Sequence, residues 1–403
     1  MKVAVIGQGY VGLPLAISIA RAGHIVIGFD LNPDVVIQLN SGKSHIEDVK
    51  DSDLHEIIKK NSYVATTNQD DLGFVDLAII AVPTPLNQIR EPDISYVEAA
   101  SRMLGESLKT SCLIVNESTS YPGTLREVIA PTVMKSGNEG LIHRFAVSPE
   151  RVDPGNTIWR IENTPRLMAG LTPEATDEVV RFYKTFCEEV ISVSSPEVAE
   201  AAKLFENTFR QVNIALVNEF SSICKSFGIS AHEVLDAANS KPYGFMKFTP
   251  GVGVGGHCIP VDPTFLAYSA ASKGSQARFI ELANKVNFER PSVIIKEISH
   301  ELGENLEGKN ILLVGISYKP NIADVRESPS LRLLHLLREK NSVVWFDPLV
   351  GLWNGEESAT LDSTNFDIVI FSHLHKETPV EKISALGSSV FDLTGKVKNA
   401  ISS

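Results

Sequence analysis

The sequence predicts an α/β protein in which two Rossmann-like parallel-sheet domains are joined by a central helical domain. Three observations carry that expectation. At the N-terminus a β-branched strand runs into Gly7-Gln-Gly9-Tyr-Val-Gly12, then a helical pattern and a second strand that ends in Asp30. From Pro196 the pattern changes to long helices with apolar residues at helical spacing. After Gly303 the opening order returns as strand, Gly315, helix and a strand that ends in Asp347. A chain of 403 residues is too long for one core, and this alternation divides it into 1–195, 196–295 and 296–403.

In the first segment, strand, G-x-G-x-x-G, helix, strand and acid follow in the context that binds a dinucleotide. Gly7 makes the tight turn, Gly9 lets a pyrophosphate approach the backbone, and Gly12 lets helix and strand pack. Tyr10 and Val11 complete the turn, and the helix N-terminus offers amide donors and a favourable dipole. Asp30, about 20 residues on, is placed to bond the adenosine ribose and to repel a 2′-phosphate, which favours NAD over NADP. Strands expected at 75–81 and 112–116 run into loops at the carboxyl edge of the sheet, where open α/β sheets bind ligands. Those loops make Pro83, Thr84 and Thr119 candidate cofactor contacts, although Ser and Thr are also ordinary turn formers. A strand at 144–147 then delivers Glu150 and Arg151, followed by the turn signal Asp153-Pro-Gly155. An ordinary surface turn competes with a functional one there.

In the central segment, Ser195-Pro196-Glu197 opens a helix with Pro near its first position and an acid in the first turn. Lys203, Asn207, Gln211 and Asn218 recur along it among Leu204, Phe205, Phe209, Val212, Ile214 and Leu216. A solvated stripe would carry Glu and Lys. Amides buried without partners are costly, so this row is expected to face a ligand. With Val217 and Phe220 the helix is apolar nearly all round and must be covered on most sides. A second copy across a two-fold axis is the simplest cover, so a homodimer is expected through the region from Pro196 to about Arg290.

The stretch from Pro250 to Pro263 sets Cys258 in a turn with Gly255, Gly256 and Pro260, and places Asp262 four residues on. Successive amide donors stabilise a thiolate, and the thiolate is the nucleophile. A lone intracellular Cys is more often a small buried hydrophobe, but the apolar surroundings for that are missing here. In the last segment the loop after Gly315 lacks the further glycines and offers Lys319 and Arg326, cations that grip phosphates.

Composition narrows the function. A net charge of -12 argues against non-specific nucleic-acid binding. Four cysteines far apart give neither a zinc pattern nor a disulfide framework, and no metal is expected. The chain begins on a strand without an apolar leader and has no membrane-spanning run, which points to a cytoplasmic protein.

Five motifs in order resemble the UDP-glucose/GDP-mannose dehydrogenase family across essentially the whole chain: Gly7 to Gly12, Ser148-Pro-Glu150, Lys203-Leu-Phe-Glu-Asn207, Gly255-Gly-His-Cys258-x-x-x-Asp262, and Lys319-Pro-Asn-x-x-Asp324-x-Arg326-x-Ser-Pro. Ser148-Pro-Glu-Arg-Val-Asp-Pro-Gly155, Lys241-Pro-Tyr-Gly-Phe-Met246 and His257-Cys-Ile-Pro-Val-Asp-Pro263 are similar to its UDP-N-acetylhexosamine branch, UDP-N-acetylglucosamine 6-dehydrogenases in particular. The UDP-glucose branch usually has an aromatic-Leu pair after its Pro-Glu and Ser before its Cys, and this chain has neither.

The resemblance implies NAD-dependent four-electron oxidation of a UDP-sugar at C6, through a thiohemiacetal and a thioester on Cys258. It implies that Lys203 and Asn207 stabilise the oxyanion, that Asp262 helps activate the thiol or water, and that Thr119 and Glu150 serve the proton relay or thioester hydrolysis. Substrate contacts are implied at Glu150, Arg151, Lys203, Asn207, Gly255, Lys319 and Arg326, as is pairing through the central helix. A second acid that the UDP-glucose branch carries just after Glu150 has no clean counterpart, since Asp153 is near but offset. Three alternatives remain. One is a UDP-glucose 6-dehydrogenase. Another is a two-electron hydroxyacid or 6-phosphogluconate-type dehydrogenase, which would need neither Cys258 nor residues 309–391. The third is a non-catalytic NAD sensor, which would have a damaged catalytic set.

Overall fold

A computed structural model describes residues 1–46, 49–152, 156, 158–362 and 365–402; the turn Asp153-Pro-Gly155 lies outside them. The chain divides into two compact units, residues 1–206 with 268–273, and residues 207–267 with 274–403.

The first unit is built on an eight-stranded sheet. Its order is Tyr63–Thr66, Ile25–Phe29, Lys2–Ile6, Leu77–Ile80, Leu113–Asn116, Arg144–Val147, Arg166–Gly170, Val190–Ser192. The first six strands are parallel and follow the 3-2-1-4-5-6 order of a dinucleotide-binding sheet. Strands such as Val-Ala-Val-Ile are buried on both faces, as a sheet covered by helices on each side requires. Arg166–Gly170 turns antiparallel to Arg144–Val147. Sequence reading missed the edge strand Tyr63–Thr66, whose four residues are fixed by pairing with Val26 to Phe29 rather than by their own pattern.

The second unit carries a five-stranded, wholly parallel sheet in the order Ser342–Phe346, Asn310–Val314, Phe366–Phe371, Gly387–Asp392, Ile401–Ser402. The helix Pro329–Arg338 supplies Leu333, Leu334 and Leu337 to a core shared with Trp345 and Phe391. The helix Arg278–Leu302 runs through Pro291, which forgoes one backbone hydrogen bond there. It stops at Gly303, left-handed at φ 67.

The long helix Pro196–Ser226 contributes residues to both units. Two members of its polar row, Gln211 and Asn218, are buried and bonded within the protein. Gln211 bonds Asn284, Asn218 donates to Asn287 at 3.1 Å, and Asn218 accepts the Gly251 amide at 2.9 Å. The neighbouring helix and loop supply partners to Asn218 and to Nε2 of Gln211, while Oε1 of Gln211 is buried without one among the described residues. Phe205, Phe209, Leu216 and Ile223 of the same helix are exposed.

Candidate active site

The first glycine turn is shaped by close approaches. Gly7 sits at φ +92 and its amide donates to the Phe29 carbonyl at 2.8 Å. A Cβ at Gly12 would stand 1.8 Å from the Gly7 oxygen, whereas one at Gly9 would meet nothing within 4 Å. Asp30 accepts the Gln8 amide at 2.9 Å and, through its other oxygen, the Asn32 amide at 2.9 Å. The Gln8 side chain, buried, donates to the Val5 carbonyl at 2.9 Å and accepts the Tyr63 hydroxyl at 2.8 Å. Gly28 leaves the space for that pair, since a Cβ there would lie 2.5 Å from either side chain. Tyr10 is exposed, Val11 is half-buried, and the helix Gly12–Arg21 begins at once.

The two loops after the neighbouring strands are tied together. Ser118 accepts the Val82 amide at 2.9 Å and donates to the Val82 carbonyl at 2.8 Å, which sets Pro83, exposed, and Thr84, buried, beside the Thr119 loop. Glu200 of the long helix anchors that loop from below by accepting the Gly123 and Leu125 amides at 2.7 and 3.0 Å and the Ser120 hydroxyl at 3.3 Å. Burial outweighs these donors and raises the Glu200 carboxyl to about 7. Glu150 and Lys203 are buried in this unit. The Arg151 guanidinium is engaged by Glu206 at 2.6 Å and by the Pro165 carbonyl at 2.7 Å.

In the second unit, Asn207 donates to Asp262 at 2.6 Å, both side chains being buried. Asp262 opens the helix Asp262–Ser272, and its amide donates to the Cys258 carbonyl at 2.8 Å. Cys258 is exposed, while Cys112, Cys187 and Cys224 are buried and burial lifts the Cys112 and Cys187 thiols to about 12. The glycine loop before Cys258 is held at both ends. At Gly251, Asn218 takes the amide and Arg290 Nε donates to the carbonyl at 3.3 Å, with Arg290 paired to Glu297 at 2.9 Å. At the far end, the Gly256 amide donates to the Arg326 carbonyl at 3.1 Å, and a Cβ at Gly255 would strike Tyr318, Glu327 and Pro329 at 2.8 Å. Arg326 closes on Asp324 at 2.6 Å, and Lys319 lies 5.8 Å from the Tyr318 ring centre. The structure thus brings Gly255, Cys258, Asp262, Asn207 and the Lys319–Arg326 loop into one unit. Gly7, Gly9, Tyr10, Val11, Gly12, Asp30, Pro83, Thr84, Thr119, Glu150, Arg151 and Lys203 belong to the other.

Residues 1–187 match the NAD binding domain of the UDP-glucose/GDP-mannose dehydrogenase family, residues 197–289 its central domain, and residues 312–383 its UDP binding domain. The chain belongs to the UDP-glucose/GDP-mannose dehydrogenase family. It is similar to the UDP-N-acetyl-D-mannosamine dehydrogenase of Pyrococcus horikoshii, with 35% identity over 97% of this chain and 93% of that protein. It is also similar to the UDP-N-acetyl-D-glucosamine 6-dehydrogenase of Pseudomonas aeruginosa, with 36% identity over 87% and 83%. Among solved structures, a UDP-glucose dehydrogenase from Pyrobaculum islandicum superposes with a TM-score of 0.89 at 27% identity, over 100% of this chain and 96% of that one.

As a member of this family the protein is an NAD-dependent nucleotide-sugar dehydrogenase. Its residues fit the cofactor: the open space at Gly9 leaves the backbone approachable, and Asp30 presents a partly exposed carboxylate at the end of the second strand. Among the described residues no cluster could hold a metal, and no helix is long and apolar enough to cross a membrane. Gln8, Glu117, Arg166, Glu200 and Arg290 escaped sequence reading. Gln8 gave a signal only in its polar side chain inside an otherwise glycine-rich turn, and Glu117 in its place just ahead of Thr119.

Proposed function

We propose that this dehydrogenase oxidises the C6 hydroxyl of a UDP-N-acetylhexosamine, UDP-N-acetylglucosamine first, to the uronate in two successive two-electron steps on one covalent anchor, Cys258. The observation that carries the reading is the contrast among the cysteines: three are buried, and the exposed one stands in a glycine turn four residues before Asp262. Bound NAD supplies the hydride acceptor for each step. The alcohol gives up a hydride and its hydroxyl proton to become the aldehyde. Sγ of Cys258 adds to C6 and holds it as a thiohemiacetal, so no aldehyde escapes between the steps. Loss of the second hydride with the hydroxyl proton gives the thioester, and water then cleaves the C–S bond to release the uronate and restore the thiol.

Lys203 and Asn207, one helical turn apart, stabilise the oxyanion that forms in each step. Asp262, oriented by Asn207 at 2.6 Å, assists the thiol or the water. Glu150 serves thioester hydrolysis, and Thr119 contributes a hydroxyl beside the cofactor. Gly255, Lys319 and Arg326 receive the UDP moiety, and Arg151 faces the substrate from the strand end. The exposed stripe of Phe205, Phe209, Leu216 and Ile223 supports a homodimer through the long helix.

The absence of the aromatic-Leu pair after Glu150 supports an N-acetylhexosamine over glucose. UDP-N-acetyl-D-mannosamine is the second reading, favoured by likeness to the P. horikoshii enzyme over nearly the whole chain. Assay of the purified protein with NAD against UDP-N-acetylglucosamine, UDP-N-acetylmannosamine, UDP-N-acetylgalactosamine and UDP-glucose decides between them. Two NADH per uronate are expected. One NADH with a released aldehyde would sink the mechanism.

A further inference from the structure

Beneath Glu150 lies a charged cluster that the mechanism does not use. Arg166 has no solvent exposure and opens the strand Arg166–Gly170. Its Nη1 donates to Glu117 at 2.9 Å and its Nη2 to Glu150 at 2.8 Å. The other oxygen of Glu117 accepts the Tyr183 hydroxyl, and the other oxygen of Glu150 accepts the Val152 amide at 2.5 Å. The Glu150 amide donates to the Glu117 carbonyl at 3.3 Å, so the two acids are joined through the backbone as well as through the guanidinium. Charges at Lys203 act on Glu150, at Cys187 on Arg166, and at Glu162 on Cys187. Burying such a triad loses so much hydration that apolar side chains of equal volume are often the more stable choice. Stability alone therefore does not account for it.

We propose that Glu117 is a positioning residue for the reaction: acting through Arg166, it sets the orientation and the basicity of Glu150. This rests on the reading of Glu150 as the acid that serves thioester hydrolysis. When Glu117 is protonated, Glu150 is, among the described residues, the one ionised carboxylate bonded to Arg166 and is a weak base. When Glu117 is ionised, the two acids share one guanidinium and repel each other, and Glu150 becomes the stronger base. Burial lifts Glu117 to about 7 against the pull of Arg166, so the exchange falls at neutral pH. Burial also works to raise Glu150, but Arg166, the Val152 amide, Lys203 and Glu117 itself together outweigh it and hold that carboxyl below its usual range. The pair titrates as a unit, and Glu117 passes nothing to the substrate.

The test has two arms and uses Glu117→Gln, which keeps the shape and removes the charge, beside Glu150→Gln. Infrared difference spectra across neutral pH read the carboxyl groups without substrate. The wild type should show a protonated-carboxyl band that fades as pH rises. Glu200, also raised to about 7, adds to that band, so both variants are read in a Glu200→Gln background, where the band should be missing from Glu117→Gln and its midpoint should move in Glu150→Gln. The second arm follows the acyl group on Cys258 by acid quench and intact mass. Wild-type hydrolysis should rise roughly threefold through neutral pH beyond the rise seen in Glu117→Gln, the response expected when a base gains about one unit of basicity. Superimposable Glu117→Gln and wild-type profiles, with Glu150→Gln impaired, overturn this inference alone. Wild-type hydrolysis in Glu150→Gln overturns the reading of Glu150, and the inference with it. If Glu117→Gln does not fold, Tyr183→Phe, which removes a hydrogen bond that lowers the Glu117 carboxyl, should move the midpoint of the band and the rise in hydrolysis to higher pH, and no shift in either overturns the proposal.

Discussion

Alanine at Gly9 and at Gly12 should separate cofactor binding from folding, two jobs that neighbouring glycines of one motif share. At Gly12 the new Cβ would lie 1.8 Å from the Gly7 oxygen, 3.0 Å from its carbon and 3.3 Å from Val5 Cγ1. Two of these are backbone atoms of a turn fixed by its own hydrogen bond to Phe29, so the helix must shift by more than an ångström. Overpacking of this kind costs about 1–3 kcal/mol, and the displaced helix N-terminus also loses its aim at a phosphate. At Gly9 the Cβ meets nothing within 4 Å, so folding should be unharmed or gain up to about 1 kcal/mol. The methyl group instead stands where the pyrophosphate approaches. Losing one charge-assisted amide bond of about 1.5–3 kcal/mol weakens NAD by on the order of 10-fold to 150-fold. Thermal unfolding without NAD, paired with NAD titration calorimetry, reads both. The reasoning fails if Gly9→Ala binds NAD as the wild type does, or if Gly12→Ala unfolds at the wild-type temperature.

Four further outcomes follow from single residues. Asp30→Ala should narrow the preference for NAD over NADP, and an unchanged kcat/KM ratio for the two cofactors would remove Asp30 as the selecting charge. Cys258→Ala should form no uronate, and Cys258→Ser should stall on an ester that turns over slowly; normal output from the alanine variant would dismiss the nucleophile. Glu117 and Glu200 titrate near 7 in the folded protein against an ordinary 4.5, chiefly through burial. Raised carboxyls hold their protons more tightly when folded, so the stability they add is complete below 4.5 and is lost as pH rises through about 7. Glu200→Gln should flatten that fall by roughly 3 kcal/mol in denaturant titrations at a series of pH values, and parallel pH curves would contradict the assignment. Leu216→Asp on the exposed face of the long helix should dissociate the proposed dimer in light scattering, whereas a fully active wild-type monomer would dismiss that dimer altogether.

The parts of the fold and site that sequence reading reached are those whose reasons are local. A glycine turn after a β-branched strand, an acid after the next strand and a thiol among glycines each need only their neighbours to be understood. Gln8 shows where that ends. Its role in bracing the turn depends on Tyr63, on an edge strand too short to read, and on the missing side chain of Gly28. Arg166 looks like any residue that opens a strand, and only the folded chain sets Glu117, Glu150 and Tyr183 around it. The amide row shows the same limit. That Gln211 and Asn218 need partners follows from their residue type, but composition does not say that the helix Arg278–Leu302 and Gly251 provide some of them.

The two sheets explain why a chain with two such openings keeps one dinucleotide cradle. In each, the first glycine amide donates to the residue that closes the second strand, Gly7 to Phe29 and Gly315 to Phe346, both at 2.8 Å. In each, the following acid accepts the next amide at 2.9 Å, Asp30 from Gln8 and Asp347 from Ile316. A Cβ on either glycine would strike a carbonyl oxygen at 2.5 Å, that of Ala81 or of His373. There the likeness stops. Asp30 is partly exposed, as an acid that receives a ribose must be. Asp347 is buried against the His375 ring at 3.1 Å and accepts the Leu349 and Val350 amides at 2.9 and 3.1 Å. Where the first turn has Gly9 beside open space, the second has Ser317, 3.2 Å from the same histidine. The second cradle is therefore filled by its own side chains, and its acid has no exposed face for a ribose. In the function proposed above, that sheet meets its nucleotide through charge, with the backbone amides of a glycine turn replaced by Lys319 and Arg326 on the long loop that follows Gly315.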